Sequence, residues 1–278
     1  MKYLKYFLLT IGIIAVSTIS FMKISGMNIT DIALKTLGLI KKVKGNSVNI
    51  SKLNIKNTDI VSHETWTALL QEHVNEEGKV NYSGFQEDII PFNSYLTLLS
   101  DNIPGDNWSD NDKIAYWINV YNAFTVKLIL DHFPLKSIKD ISAGLPMINS
   151  PWDIKFFKIG NVDFDLNTVE HEILRKEFDE PRIHFAINCA SFSCPKLRTE
   201  AFESDQLENQ LNDQARAFIL NSDKNKITES QSSLSKIFSW FESDFTSSGG
   251  VSTFIKKYHP DFNHQNKIRY LDYDWSLN

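Results

Sequence analysis

The chain has 278 residues, 42% of them hydrophobic and 12% aromatic, which is enough apolar material for one substantial core. Its net charge of −5 comes from interspersed acids and bases, so the broad basic footprint of a nucleic-acid partner is excluded. Two cysteines, Cys189 and Cys194, are too few to staple a domain of this size, and stability must come from ordinary burial.

Residues 6–22 are apolar apart from small hydroxyl residues, follow Lys2 and Lys5, and precede Lys23. This pattern predicts a signal anchor or signal peptide over residues 1–25, with the membrane as a partner through that segment. The run is slightly short for an ordinary spanning helix, longer than a usual signal-peptide core, and lacks an Ala-x-Ala site, which favours an uncleaved anchor. Lys35, Lys41, Lys42 and Lys44 dilute the charge asymmetry that sets orientation. The remaining chain is expected to be membrane-anchored or secreted, with its domain extracytoplasmic. Residues 26–59 read as a linker, with an amphipathic or simply charged stretch at 28–44, and residues 60–278 as one globular domain.

Within that domain helical spacing predicts helices over 66–74 and 91–99, with a short extended piece at 80–82. Ser109 can cap a long helix over 110–132, whose first turn holds Asp110 and Asp112, and Pro134 stops it. Alternating runs around Gly160-Asn161 predict a hairpin over 154–166. Asn167 with Glu170 forms a capping-box pattern for a helix through 177, and a strand is expected over 182–188. Helices at 205–220, 234–244 and 251–258 and a strand at 268–273 complete an α+β pattern: a mostly helical single domain around a small antiparallel sheet.

The chemistry-bearing residues concentrate between Arg182 and Cys194. As a strand, 182–188 would put Arg182, His184, Ala186 and Asn188 on one face and Ile183, Phe185, Ile187 and Cys189 on the other. Cys189 would then need a base from elsewhere, with His171 and His132 as candidates, or a chain reversal at Asn188. Three readings stay open. Cys189 is a nucleophile served by His184 or His171 and oriented by Asn188, suited to a peptide or another acyl or amide substrate. Alternatively His171, His184, Cys189 and Cys194 hold a metal, although their spacing is not a usual zinc pattern. The third reading is a Cys189–Cys194 disulfide, or two buried thiols, beside a hydrogen-bonded His184. Arg182 is a candidate for binding an anionic substrate group or for a buried ion pair. Asn119 and Asn122, on one stripe of an apolar helix, either tie neighbouring backbone together or face a substrate pocket. Glu170 is assigned to the cap, and Tyr270, Tyr273 and Trp275 to docking the chain end or lining a groove. No phosphate loop, nucleophile elbow or His-Glu-x-x-His motif occurs, so no cofactor or metal is expected.

The blocks Tyr116-Trp117-Ile118-Asn119-Val120-Tyr121-Asn122-Ala123, Glu170-His171-x-Ile173-Leu174-Arg175, Pro181-Arg182-Ile183-His184-Phe185-Ala186 and Cys189-Ala190-Ser191-x-Ser193-Cys194-Pro195 together resemble the family catalogued as domain of unknown function number 547. The likeness is expected to run from about residue 66 to 278, and it implies no established activity. The element order is loosely similar to papain-like and transglutaminase-like cysteine enzymes, which carry the nucleophile at the start of the central helix. Here Asn119 and Asn122 occupy that helix and the cysteines come later. The expected function is an envelope-associated domain with thiol-dependent acyl or amide hydrolase or transferase chemistry; the alternative is a non-catalytic binding or scaffold domain.

Overall fold

The computed structural model describes residues 59–141 and 150–278, so the expectations for 1–25 and for nearly all of 26–59 lie outside the described residues. The described chain is a mostly helical α+β domain. Helices α1 (Glu64–His73), α2 (Tyr82–Glu87) and α3 (Ile89–Asp101) lead to the long α4 (Asp110–Leu130). Ser109 caps α4 as expected: its side chain accepts from the Asp112 N–H while the Asp112 carboxylate accepts from the Ser109 N–H. No described helix is long and apolar enough to cross a membrane.

The hairpin is present, with β1 (Phe157–Ile159) antiparallel to β2 (Val162–Phe164) and Gly160 in the turn at φ 59°. A second sheet joins β3 (Lys226–Ile227), β4 (Ser232–Leu234) and β5 (Ile268–Tyr270), and its β4–β5 pair is parallel. The helix expected over 234–244 is shorter, because Leu234 belongs to β4. Helix α8 (Ile237–Trp240) and a 3₁₀ turn at Glu242–Phe245 follow.

The expected strand over 182–188 is instead a helical turn, α6 (Ile183–Ala186). Residues 183–188 are all buried, so alternation carries no face information, and Pro181 opens a turn in which the His184 N–H donates to the Pro181 carbonyl. This turn bridges two apolar clusters. Ile183 packs with the large core built on α4, whereas Phe185 joins Phe218, Phe238, Phe245 and Phe254 in the smaller one. Helices α7 (Leu207–Leu220) and α9 (Val251–Tyr258) close the second cluster.

Between β2 and α6 the chain forms a π-helix, Thr168–Leu174, that continues as a single α-helical turn, α5 (Arg175–Glu177). The expected Asn167–Glu170 capping box is absent. Asn167 already has helical dihedrals and makes no cap bond; Asp165 takes over, its Oδ1 accepting from the Thr168 N–H at 2.7 Å. Glu170 is thereby released from the cap and turned toward α4.

Candidate functional site

Three of the expected site residues are backbone clamps. Asn119, on α4, donates to the Phe202 carbonyl (2.8 Å) and accepts from the Phe202 N–H (3.0 Å). Asn122, one turn on, donates to the Ala186 carbonyl (3.0 Å) and accepts from the Asn188 N–H (2.8 Å). Asn188 donates to the Pro195 carbonyl (2.7 Å) and accepts from the Ala190 N–H (2.8 Å), supporting Ala190 in a left-handed conformation at φ 55°. Both ends of each amide are thus spent on orienting chain. Arg182 is held by two carboxylates, Glu180 (2.5 and 2.7 Å) and Glu208 (2.7 and 2.8 Å), which raise its pKa further, so the ion-pair alternative describes it.

The clamps position a loop whose cysteines form a disulfide, Cys189–Cys194. Cys189 is half-buried and Cys194 buried, and the Tyr273 and Ser191 hydroxyls lie within 3.5 Å of both sulfurs. With both sulfurs joined, neither the free nucleophile nor the His171, His184, Cys189, Cys194 metal set is available in this state. Among the described residues no other group of three His, Cys, Asp or Glu is arranged to hold a metal.

The disulfide forms one wall of a cavity of about 170 Å³. Its other walls include Glu170 and His171 from the π-helix, His184 from α6, Tyr121 from α4, and a cluster of Trp152, Trp240, Phe241, Tyr273 and Trp275. The helical turn at 183–186, rather than a strand, is what lets His184 and Cys189 line the same cavity. Trp240, Tyr273 and Trp275 pack with ring centroids 4.5 to 5.9 Å apart, and Trp275 meets Trp152 edge-on at 5.5 Å. Tyr273 and Trp275 reach this place because residues 274–278 are pinned: the Phe192 N–H donates to the Ser276 carbonyl, the Leu277 N–H to the Lys136 carbonyl, and Tyr82 to the Asn278 side chain. The expected alternatives for the aromatic tail, docking and lining a groove, are therefore one arrangement. Tyr270 stays outside it.

Behind the cavity wall lies an ionic knot. Asp244 accepts from Arg175 through both oxygens (2.5 and 2.8 Å) and from His184 Nε2–H at 2.8 Å. Despite partial burial, these donors hold Asp244 well below the usual carboxylate range. With Nε2 donating, His184 Nδ1 is the unprotonated nitrogen, and it is buried without a hydrogen-bond partner among the described residues. His184 is 2% exposed and stacks on Phe241 at 3.9 Å; burial lowers its pKa even against Asp244. His171 Nδ1 accepts from Arg175 Nη1 at 3.0 Å, and burial, then Arg175, push its pKa down to about 4. Both histidines are neutral near pH 7. Glu170 is different: it is 7% exposed, its one direct donor among the described residues is the Tyr121 hydroxyl at 3.4 Å, and burial pushes its pKa up to about 7.

Asp244, Trp152 and Trp240 carry no motif-level signal, Tyr121 lies in a quoted block but was not singled out, and Glu170 was hidden by an apparent cap. The four-residue spacing of His171 and Arg175 on one helical face was a usable clue to their contact. His132 lies apart, bonding the Leu128 carbonyl. A larger recess of about 730 Å³ opens on the far side of the disulfide loop. Two of its three lysines are engaged with backbone, Lys196 with the Glu76 carbonyl and Lys224 with the Phe192 carbonyl, and no histidine is among its described lining residues. The small cavity, where unpaired polar groups and aromatic rings converge, is the better candidate.

Residues 105–219 match the family model described as "Protein of unknown function, DUF547". The match carries α4, the hairpin, the π-helix and the disulfide loop, and so bears out the resemblance over a shorter span than residues 66–278. Asp244, Trp240, Tyr273 and Trp275 lie beyond it. No curated protein and no solved structure matches the chain.

Proposed function

We propose, taking residues 105–219 as the DUF547 match within a larger fold, that this domain is a small-ligand-binding module of the cell envelope. The observation that carries the reading is the Cys189–Cys194 disulfide on the cavity wall: it leaves an aromatic-lined space with no free thiol facing it. A disulfide also suits an oxidising compartment, in keeping with an exported domain tethered by residues 1–25. Iodoacetamide treatment of the folded chain without reductant, followed by mass spectrometry, is expected to modify neither cysteine. Fast labelling of Cys189 under those conditions would remove the reading. Alkaline phosphatase fused after residue 278 is expected to be active, as export requires; an inactive fusion of a stably produced chain contradicts the envelope placement.

A second reading rests on one specific observation, the His184–Asp244 pair, whose imidazole lines the same cavity as Cys189. Two-electron reduction by a dithiol would free the Cys189 thiol, and His184 Nδ1 could take its proton. The thiolate would then attack an acyl or amide carbonyl carbon and form a thioester, with the proton passing to the departing alcohol or amine. Water would hydrolyse the thioester and restore the thiol. Ester and amide turnover that appears only after dithiol treatment, and disappears in Cys189→Ala, is the outcome that favours this reading over pure binding.

A further inference from the structure

The cavity holds an electrostatic imbalance. Asp244 and Arg175, behind the wall, neutralise one another through two hydrogen bonds, and His171 and His184 are neutral near pH 7, so the charge carried by the lining residues is that of Glu170, which ionises as pH rises through about 7. A carboxylate that is 7% exposed and has one long hydrogen bond among the described residues is strongly under-solvated. Around it stand the rings of Tyr121, Trp152, Trp240, Phe241, Tyr273 and Trp275, whose negative faces attract cations. Two of these rings already attract the protein's own cations: Lys139 Nζ sits 3.9 Å over Trp275, and Arg175 lies 4.9 Å from Phe241. Trp240, 47% exposed, stands at the surface side of the cluster.

We propose that this cavity binds an organic cation, a quaternary or fully alkylated ammonium head group, held by the aromatic rings with Glu170 as its counter-charge. The volume of about 170 Å³ lies below the ~300–1,000 Å³ of ordinary small-molecule sites, so it admits a compact head group and leaves any longer substituent outside. A fully alkylated ammonium is weakly hydrated and needs no hydrogen bonds from the pocket, so the rings that make up much of the lining suit it. The inference rests on the binding reading and names the ligand class for the same cavity.

The test uses the full chain and three probes at equal ionic strength: tetramethylammonium, choline and 3,3-dimethyl-1-butanol, the neutral isostere of choline. Isothermal calorimetry and tryptophan fluorescence are expected to show saturable binding of both cations and at least tenfold weaker binding of the alcohol. Glu170→Gln should weaken cation binding at least tenfold and leave the alcohol unchanged, and Trp240→Leu should weaken the cations several-fold. Circular dichroism and thermal unfolding establish that both variants fold. Binding should also be tighter at pH 8 than at pH 5.5 in the parent and pH-independent in Glu170→Gln. The groups around Glu170 are Arg175, Asp244, His171, His184, Tyr121 and Tyr273, and none is expected to change charge across that window. Equal binding of alcohol and cations overturns the cation inference while leaving a binding cavity. Absence of binding by all three overturns it as well, and the alkylation result then decides separately whether the thiol-free reading stands.

Discussion

At the scale of single residues, the most informative side chain is Glu170, and it was legible only as a misleading pattern. Asn167-x-x-Glu170 satisfies the capping-box template, yet Asp165 lies closer to the needed geometry and takes the Thr168 N–H, which frees Glu170 for the cavity. Its pKa is raised from 4.5 to about 7, so the folded state holds a proton that the unfolded state has released between those values, and stability falls as pH rises through that window. Above pH 7 the full cost applies, about 3 kcal/mol by the linkage relation. Glu170→Gln is therefore expected to raise the unfolding midpoint at pH 8 and to be nearly neutral at pH 4.5, measured by thermal unfolding across pH. The asparagines were readable as polar residues on a buried helix, and the backbone-tying use expected for them is what the hydrogen bonds show. Asn122→Ala strands the Ala186 carbonyl and the Asn188 N–H, and a loss of about 3 kcal/mol is expected in denaturant unfolding.

At the scale of elements, the long helix, its Ser109 cap and the Gly160-Asn161 hairpin followed from local rules, because each is fixed by residues close in sequence. The turn at 183–186 did not, since both faces of that segment are buried and a two-residue period has nothing to report. Asp244 is 60 residues from His184, and only the packing of α8 and the following turn onto α6 brings them together. Phe185 fixes that packing by entering the second cluster, and Phe185→Ala is expected to cost about 3–5 kcal/mol. The disulfide closes a short loop, so the double variant Cys189→Ser, Cys194→Ser should lose only about 2 kcal/mol on the chain-entropy account. A much larger loss would mean that the bond, rather than the asparagine clamps, holds the loop in place.

For the whole molecule, three histidines, His63 and His184 buried and His171 half-buried, set the acid limit. His63 and His171 are pushed down to about 4 and His184 is lowered, in each case chiefly by burial. Their neutral forms are favoured on folding, so this stability is complete above about pH 6.5 and is lost as pH falls toward 4. Glu170 acts in the opposite direction over an overlapping range. The parent is thus expected to have a flattened stability profile between pH 4.5 and 7, and Glu170→Gln should expose the full histidine slope in the same unfolding series. The overall α+β class was legible from the order of helical and alternating segments. The cavity was not, because its wall combines α4, the π-helix, α6, α8 and residues 273–275, whose meeting is a property of the packed chain.

The central claim, that this cavity is where a ligand binds, is tested most directly by the indole signals of the six tryptophans in a ¹⁵N-labelled protein. Trp152, Trp240 and Trp275 line the cavity, whereas Trp66, Trp108 and Trp117 sit in the core built on α4. On titration with choline and with 3,3-dimethyl-1-butanol, its neutral counterpart, the account predicts that the first three signals move with at least one probe while the other three stay fixed. Signals that all stay fixed with both probes, or shifts confined to the core tryptophans, would contradict it.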